Sequence, residues 1–98
     1  MPSYVIIHNT VLDAEAMMQS YIPKAIHTFG AHGAELMVME ESSEVLEGSS
    51  DHPRTIVLKF ADRASAEAWY RSPEYQAALP IRLGATKGYA VLVDGFEG

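Results

Sequence analysis

Six side chains in this sequence carry usable chemistry: His8, Glu47, Arg54, Tyr70, Tyr75 and Arg82. His8 closes the run Tyr4-Val5-Ile6-Ile7-His8 and alternates with Tyr4 and Ile6. A pocket on that face would let a neutral imidazole act as a base near pH 7. The alternative is a strand-end histidine bonded to nearby backbone. If Glu47, Arg54 and Arg82 converge, a bidentate arginine can hold a ligand carboxylate, and Glu47 can serve as acid or base. The same three residues would equally make an ion-pair network fixing the 42–51 loop against the last helix. Tyr70 and Tyr75 flank the pair Ser72-Pro73 and follow the only tryptophan, Trp69. They can line an apolar cleft and offer hydroxyls to a ligand, whereas Trp69, at helical spacing from Ala66, reads as core.

Other chemistries find no support. With no cysteine there is no thiolate nucleophile, disulfide or zinc–thiolate site. His27 and His32 stand five apart and His52 precedes Pro53, which matches no metal-ligand spacing. No glycine-rich phosphate loop follows a strand, and the methionines read as adaptable filler. No metal or cofactor is therefore expected. The chain has 98 residues and a net charge of −6, with 7 basic against 13 acidic side chains. That balance disfavours nucleic-acid phosphates and anionic lipid surfaces as partners. Apolar runs are too short to span a membrane, and Met1-Pro2-Ser3-Tyr4 does not open a secretory signal. The expectation is one cytoplasmic domain over residues 1–98.

The elements that would position these residues follow a simple order. Tyr4 to His8 reads as a strand. Asp13 suits a helix N-cap, with Glu15 in the first turn, and Met18, Ile22, Ala25/Ile26 and Phe29 form the expected buried stripe. Pro23 should kink or break that helix, and Gly30 and Gly33 bracket its end. Residues 34–41 read as the second strand. A polar connection over 42–51 follows, with Val45 and Leu46 as expected anchors. Thr55 to Phe60 is the third strand, and Asp62 caps a helix through Trp69-Tyr70. Ser72-Pro73 restarts the helix, Pro80 should kink or split it, and Gly88 should end it before a fourth strand over 89–93.

This β-α-β-β-α-β order predicts a ferredoxin-like α+β fold with a four-stranded antiparallel sheet. Ile56, Leu58 and Phe60 should pack under the helices. Both faces of the other strands carry apolar residues, with Leu36/Val38 opposed to Met37/Met39. A sheet apolar on its helix-free side predicts a homodimer with the two sheets face to face.

The pieces resemble the family called domain of unknown function 1330, within the dimeric α+β barrel proteins. The likeness covers essentially the whole chain. It rests on Tyr4, Asp13, Tyr21, Gly33, Leu46-Glu47-Gly48, Arg54, Phe60, Ala66, Trp69-Tyr70, Ser72-Pro73-Glu74-Tyr75 and Arg82. It departs where members look like Gly-Gly-Arg and Arg-Gly-Gly around the second strand. Here Gly33-Ala34-Glu35 and Glu40-Glu41-Ser42 put acids or small residues in place of two cations. The resemblance implies an eight-stranded dimeric barrel and a fold shared with cofactor-independent monooxygenases, isomerases and haem enzymes. The resulting functional expectation is a small-molecule-binding protein, extending to a cofactor-independent enzyme for a small organic acid or aromatic. The competing expectation is a non-catalytic dimer whose polar residues are structural.

Overall fold

The structure, a computed structural model, describes residues 1–96. Strands β1 (Ser3–Val11), β2 (Glu35–Glu40), β3 (Arg54–Phe60) and β4 (Thr86–Asp94) form one antiparallel sheet in the order β2-β3-β1-β4. Helices cover one face. This is the ferredoxin-like arrangement that the element order predicts.

The first helical stretch is continuous but changes pitch. Asp13 accepts a hydrogen bond from the Ala16 amide at 3.0 Å and opens α1 (Ala14–Ala16). A π turn, Met17–Tyr21, leads into α2 (Ile22–His32). Pro23 cannot donate to the carbonyl four residues back, and the wide π turn just before it absorbs that mismatch. The disruption at Pro23 is thus a π turn within one helical run. Of the two bracketing glycines, only Gly33 adopts the left-handed cap, at φ 67°.

The buried line on this run is Met17, Tyr21, Ala25 and Thr28. Two residues of the expected stripe, Met18 and Ile26, are instead exposed. The line is displaced by one residue, about 100° of helix. Two buried aromatic side chains account for that phase. The Trp69 Nε1–H donates to Thr28 Oγ1 at 2.8 Å, and the Tyr75 hydroxyl pairs with that of Tyr21 at 2.7 Å. Thr28 and Tyr21 must face inward to satisfy them.

Asp62 caps α3 (Arg63–Arg71) by accepting from the Ser65 amide, and Ser72 caps α4 (Pro73–Ala85) with Pro73 in its first turn. Contrary to expectation, Pro80 does not split α4, which runs through it to Ala85. Its ring lies on the exposed side of the helix, where water can take the carbonyl it leaves unbonded. Gly88 does not end a helix either. It lies inside β4 opposite Asn9, at φ 146°.

Val5, Ile7, Ile56, Leu58 and Phe60 carry the sheet's buried face, packed against Trp69, Tyr75 and Ala78. On β2 simple alternation fails. A register shift between Leu36 and Val38 pairs Leu36 with Leu58, Val38 with Val57 and Met39 with Ile56. The extra residue puts Leu36 and Met39 on the helix side and Val38 on the other. Val38, Val57, Ile6 and Val91 consequently form an apolar row across all four strands on the helix-free face. Tyr4, Tyr89 and Val93 extend that face. The 42–51 loop is not anchored as expected: Val45 and Leu46 are exposed, Leu46 by 86%. A two-sided polar connection with little core beneath it gives them nothing to bury against.

Candidate functional site

A cleft opens on the helix-covered side, between α2 and the β2–β3 half of the sheet. It encloses about 100 Å3 and is walled by Ile22, Phe29, Leu36 and Leu58. Tyr21, Arg54 and Arg82 supply its polar lining. The strand alternation and the β2 bulge aim the apolar walls inward, while the last turn of α4 and the first residue of β3 deliver the two arginines.

Arg82 is 5% exposed, and its Nε–H has no hydrogen-bond partner. Among the described residues, no carboxylate lies within ion-pairing distance of it. Burial works against its charge, but the phenols of Tyr75, Tyr21 and Tyr70 outweigh that effect and hold its pKa above the ordinary arginine value. Arg82 is therefore a guanidinium at every relevant pH. Burial, reinforced by the neighbouring Tyr75, pushes the Tyr21 phenol far above its usual range. Tyr21 is thus a neutral phenol, hydrogen-bonded to the Tyr75 hydroxyl at 2.7 Å beside the arginine.

Arg54 is also buried, 7% exposed, and its Nε–H donates to Glu41 Oε1 at 3.2 Å. Glu41 stands where the family pattern has a basic and glycine-rich segment. Its carboxylate, largely in water, partly neutralises Arg54. Of the two cleft arginines, Arg82 is the one free of a counter-charge among the described residues.

The remaining candidates lie elsewhere. His8 is on the helix-free face, where its Nδ1 is 3.1 Å from Thr55 Oγ1, which is 2.6 Å from Ser43 Oγ. Its ring packs beside Tyr89. The thickness of the sheet separates it from Arg82. Glu47 is exposed in the loop and makes no ion pair among the described residues. Tyr70 borders a different surface depression with Val5, Arg63 and Leu92. Arg54 and Arg82 are thus brought into one cleft, with Tyr75 reaching it through Tyr21. One residue joins them that the sequence does not single out for chemistry. Tyr21 stands in the sequence only as part of the family pattern. Asn9, inward by the same parity as Val5 and Ile7, is buried but does not line the cleft. No cluster of three metal-ligating side chains occurs among the described residues.

The family model named Domain of unknown function (DUF1330) matches residues 2–96. The chain belongs to this family. No curated protein matches it. Solved structures show the same fold at low identity. A protein of unknown function from Rhodopseudomonas palustris aligns at 15% identity over 99% of this chain and 84% of its own, with a TM-score of 0.80. SnoaB from Streptomyces nogalater, a cofactor-independent oxygenase, aligns at 12% identity over 99% of this chain and 95% of its own, with a TM-score of 0.64. A dimeric ferredoxin-like protein of unknown function from Jannaschia sp. CCS1 aligns at 16% identity over 99% of this chain and all of its own, with a TM-score of 0.61. This DUF1330 chain thus shares its path with a cofactor-independent oxygenase and with proteins of unknown function, and at these identities the likeness speaks for fold alone.

Proposed function

We propose that this DUF1330 protein binds a small organic acid in the cleft between α2 and the β2–β3 half of the sheet, with the carboxylate on Arg82. One observation carries the reading: a guanidinium 5% exposed, without a carboxylate partner among the described residues, opening onto an apolar cleft. Buried charges are ordinarily paired. A ligand carboxylate would supply the missing charge in bidentate geometry, while Ile22, Leu36 and Leu58 would take its apolar part. The volume of about 100 Å3 favours a compact acid over a large aromatic. It lies below the ~150 Å3 of a cavity that admits benzene. SnoaB, of similar fold, is a cofactor-independent oxygenase, so an enzyme acting on such an acid without a cofactor is the catalytic extension of this reading.

The homodimer belongs to the same proposal. The apolar row on the helix-free face is open to solvent in one protomer, with Val38, Val91 and Tyr89 between 40% and 54% exposed. The Jannaschia neighbour is described as dimeric. Light scattering should give twice the protomer mass, and Val57→Glu, which places a charge in the middle of the row, should give the protomer mass. A monomeric wild-type protein at micromolar concentration would overturn the assembly.

For the binding reading, thermal unfolding is followed with propionate or benzoate against equal chloride. Wild type should gain stability from propionate, and Arg82→Met should not. No gain from either acid, or a gain that survives in Arg82→Met, rejects Arg82 as the anchor and moves the balance to a structural role.

A further inference from the structure

Arg54 and Arg82 line the same cleft, and both are buried, 7% and 5% exposed. They differ in electrostatic state. Arg82 has no carboxylate within ion-pairing distance among the described residues, whereas the Arg54 Nε–H donates to Glu41 Oε1 at 3.2 Å. The chain path explains why that acid is there. Met39 forms part of the cleft wall near the end of β2. Glu41, two residues on, returns to the same side by strand alternation and meets Arg54, the first residue of β3. Its side chain is 70% exposed, so it approaches the guanidinium from the solvent side. Among the described residues its one side-chain hydrogen bond is the bond to Arg54. Two guanidiniums and one carboxylate leave the cleft a single net positive charge, and that charge is on Arg82.

We infer that Glu41 is the charge selector of this cleft: by neutralising Arg54 it restricts the site to acids with one carboxylate and turns away those with two. This rests on the carboxylate reading above and adds to it the charge of the ligand. A monoanion on Arg82 brings the cleft to neutrality. A second carboxylate on the ligand would find the other guanidinium already taken and would face Glu41 instead. Like charges repel more strongly in a partly desolvated site than in water, and such a repelling element is a common device for rejecting a near-analogue. Without the Glu41 charge, Arg54 would offer its own fork to a second carboxylate. The acid that stands where the family pattern is basic and glycine-rich would thus set which small acids this chain accepts.

The probes are propionate, with one carboxylate, and malonate and succinate, with two at different spacings. Dissociation constants are measured by calorimetry at mildly alkaline pH and matched ionic strength, on wild type and on Glu41→Gln. Glutamine keeps an acceptor for the Arg54 Nε–H and removes the charge. The readout is the affinity for the better diacid relative to propionate, taken within each protein so that a change in stability cancels. Wild type should prefer propionate. In Glu41→Gln the ratio should move toward the diacid by about tenfold or more, the worth of one added charge-assisted hydrogen bond. Adding Arg54→Met to Glu41→Gln should return the ratio to its wild-type value. If wild type already prefers a diacid, or if propionate binds and the ratio is the same in Glu41→Gln, this inference falls while the carboxylate reading stands. If the shift survives the loss of Arg54, Glu41 does not act through that arginine and the assignment falls. If no acid binds wild type at all, the carboxylate reading itself fails, and this inference with it.

Discussion

Replacing Arg82 by methionine separates a residue that holds the fold together from one that waits for a ligand. Taking a guanidinium out of water costs several kcal/mol even after the protein relaxes. Arg82 is 5% exposed and recovers no ion pair among the described residues. What it does have is the Tyr21 and Tyr75 phenols beside it. The favourable field of those phenols offsets the desolvation, so the charge adds little net stability to the fold. Methionine keeps the length and the apolar stem, and it leaves the two phenols bonded to each other at 2.7 Å. Stability of Arg82→Met should therefore stay within about 1 kcal/mol of wild type. In a chain of this size that corresponds to no more than about 8 °C in Tm. The assay is urea unfolding at fixed protein concentration, since association would shift the midpoint, with the slope checked for constancy. A loss of about 3–5 kcal/mol, the amount expected when a satisfied buried charge network is broken, would refute the reasoning. Arg82 would then be a structural residue, and the cleft would lose its anchor. Arg82→Lys is the companion variant. It keeps the charge but loses the planar fork, so it should bind propionate more weakly than wild type while still binding it.

Two further outcomes test the frame that holds the site. Gly88→Ala should be severely destabilising, because a Cβ there would collide with the His8 carbonyl oxygen and lie 2.7 Å from the Asn9 Cα. Both obstacles are backbone, and φ 146° is itself unsuited to a side chain. Far-ultraviolet dichroism and the unfolding midpoint will show it, and a variant as stable as wild type would mean that β4 does not pair with β1 in this register. Asp94 accepts from Ser3 Oγ at 2.9 Å and Arg63 Nε at 3.1 Å, and these bonds, Ser3 first, hold its carboxyl below the ordinary aspartate value. A depressed carboxylate stabilises the fold above its unfolded pKa of about 4 and loses that contribution as pH falls through the lower folded value. The Tm gap between wild type and Asp94→Asn should thus be open at neutral pH and close as the pH falls below the ordinary aspartate value of about 4. A gap independent of pH would show that the two bonds do not favour the ionised form.

How far residue order alone reaches can be judged from particular elements. Asp13, Asp62 and Ser72 cap helices where short-range chemistry puts them, because a cap depends only on neighbours in the chain. The alternation of Ile56/Leu58/Phe60 was enough to orient β3, since the side-chain period of a strand is local, whereas β1, apolar on both faces, took its orientation from packing. The third, β2, defeated the same reasoning. A bulge is a property of pairing with β3, and it split the pair Leu36/Val38 that alternation keeps on one face, placing Leu36 with Met39 on the helix side and Val38 on the other. The phase of the first helix failed for a related reason. Its inward face was chosen by the needs of Trp69 and Tyr75, more than forty residues away.

Charge and composition determined what kind of partner to doubt, and the scattered motif from Leu46 to Arg82 determined the family. The site itself was a tertiary decision. Arg54 and Arg82 read equally well as cleft or as ion-pair network until packing showed which arginine had found a carboxylate. Folding put His8 on the far side of the sheet from them and left Glu47 in the loop. It also drew in Tyr21, whose importance comes from contact with a distant phenol. Burial and convergence belong to the packed chain, so neither can be read from spacing.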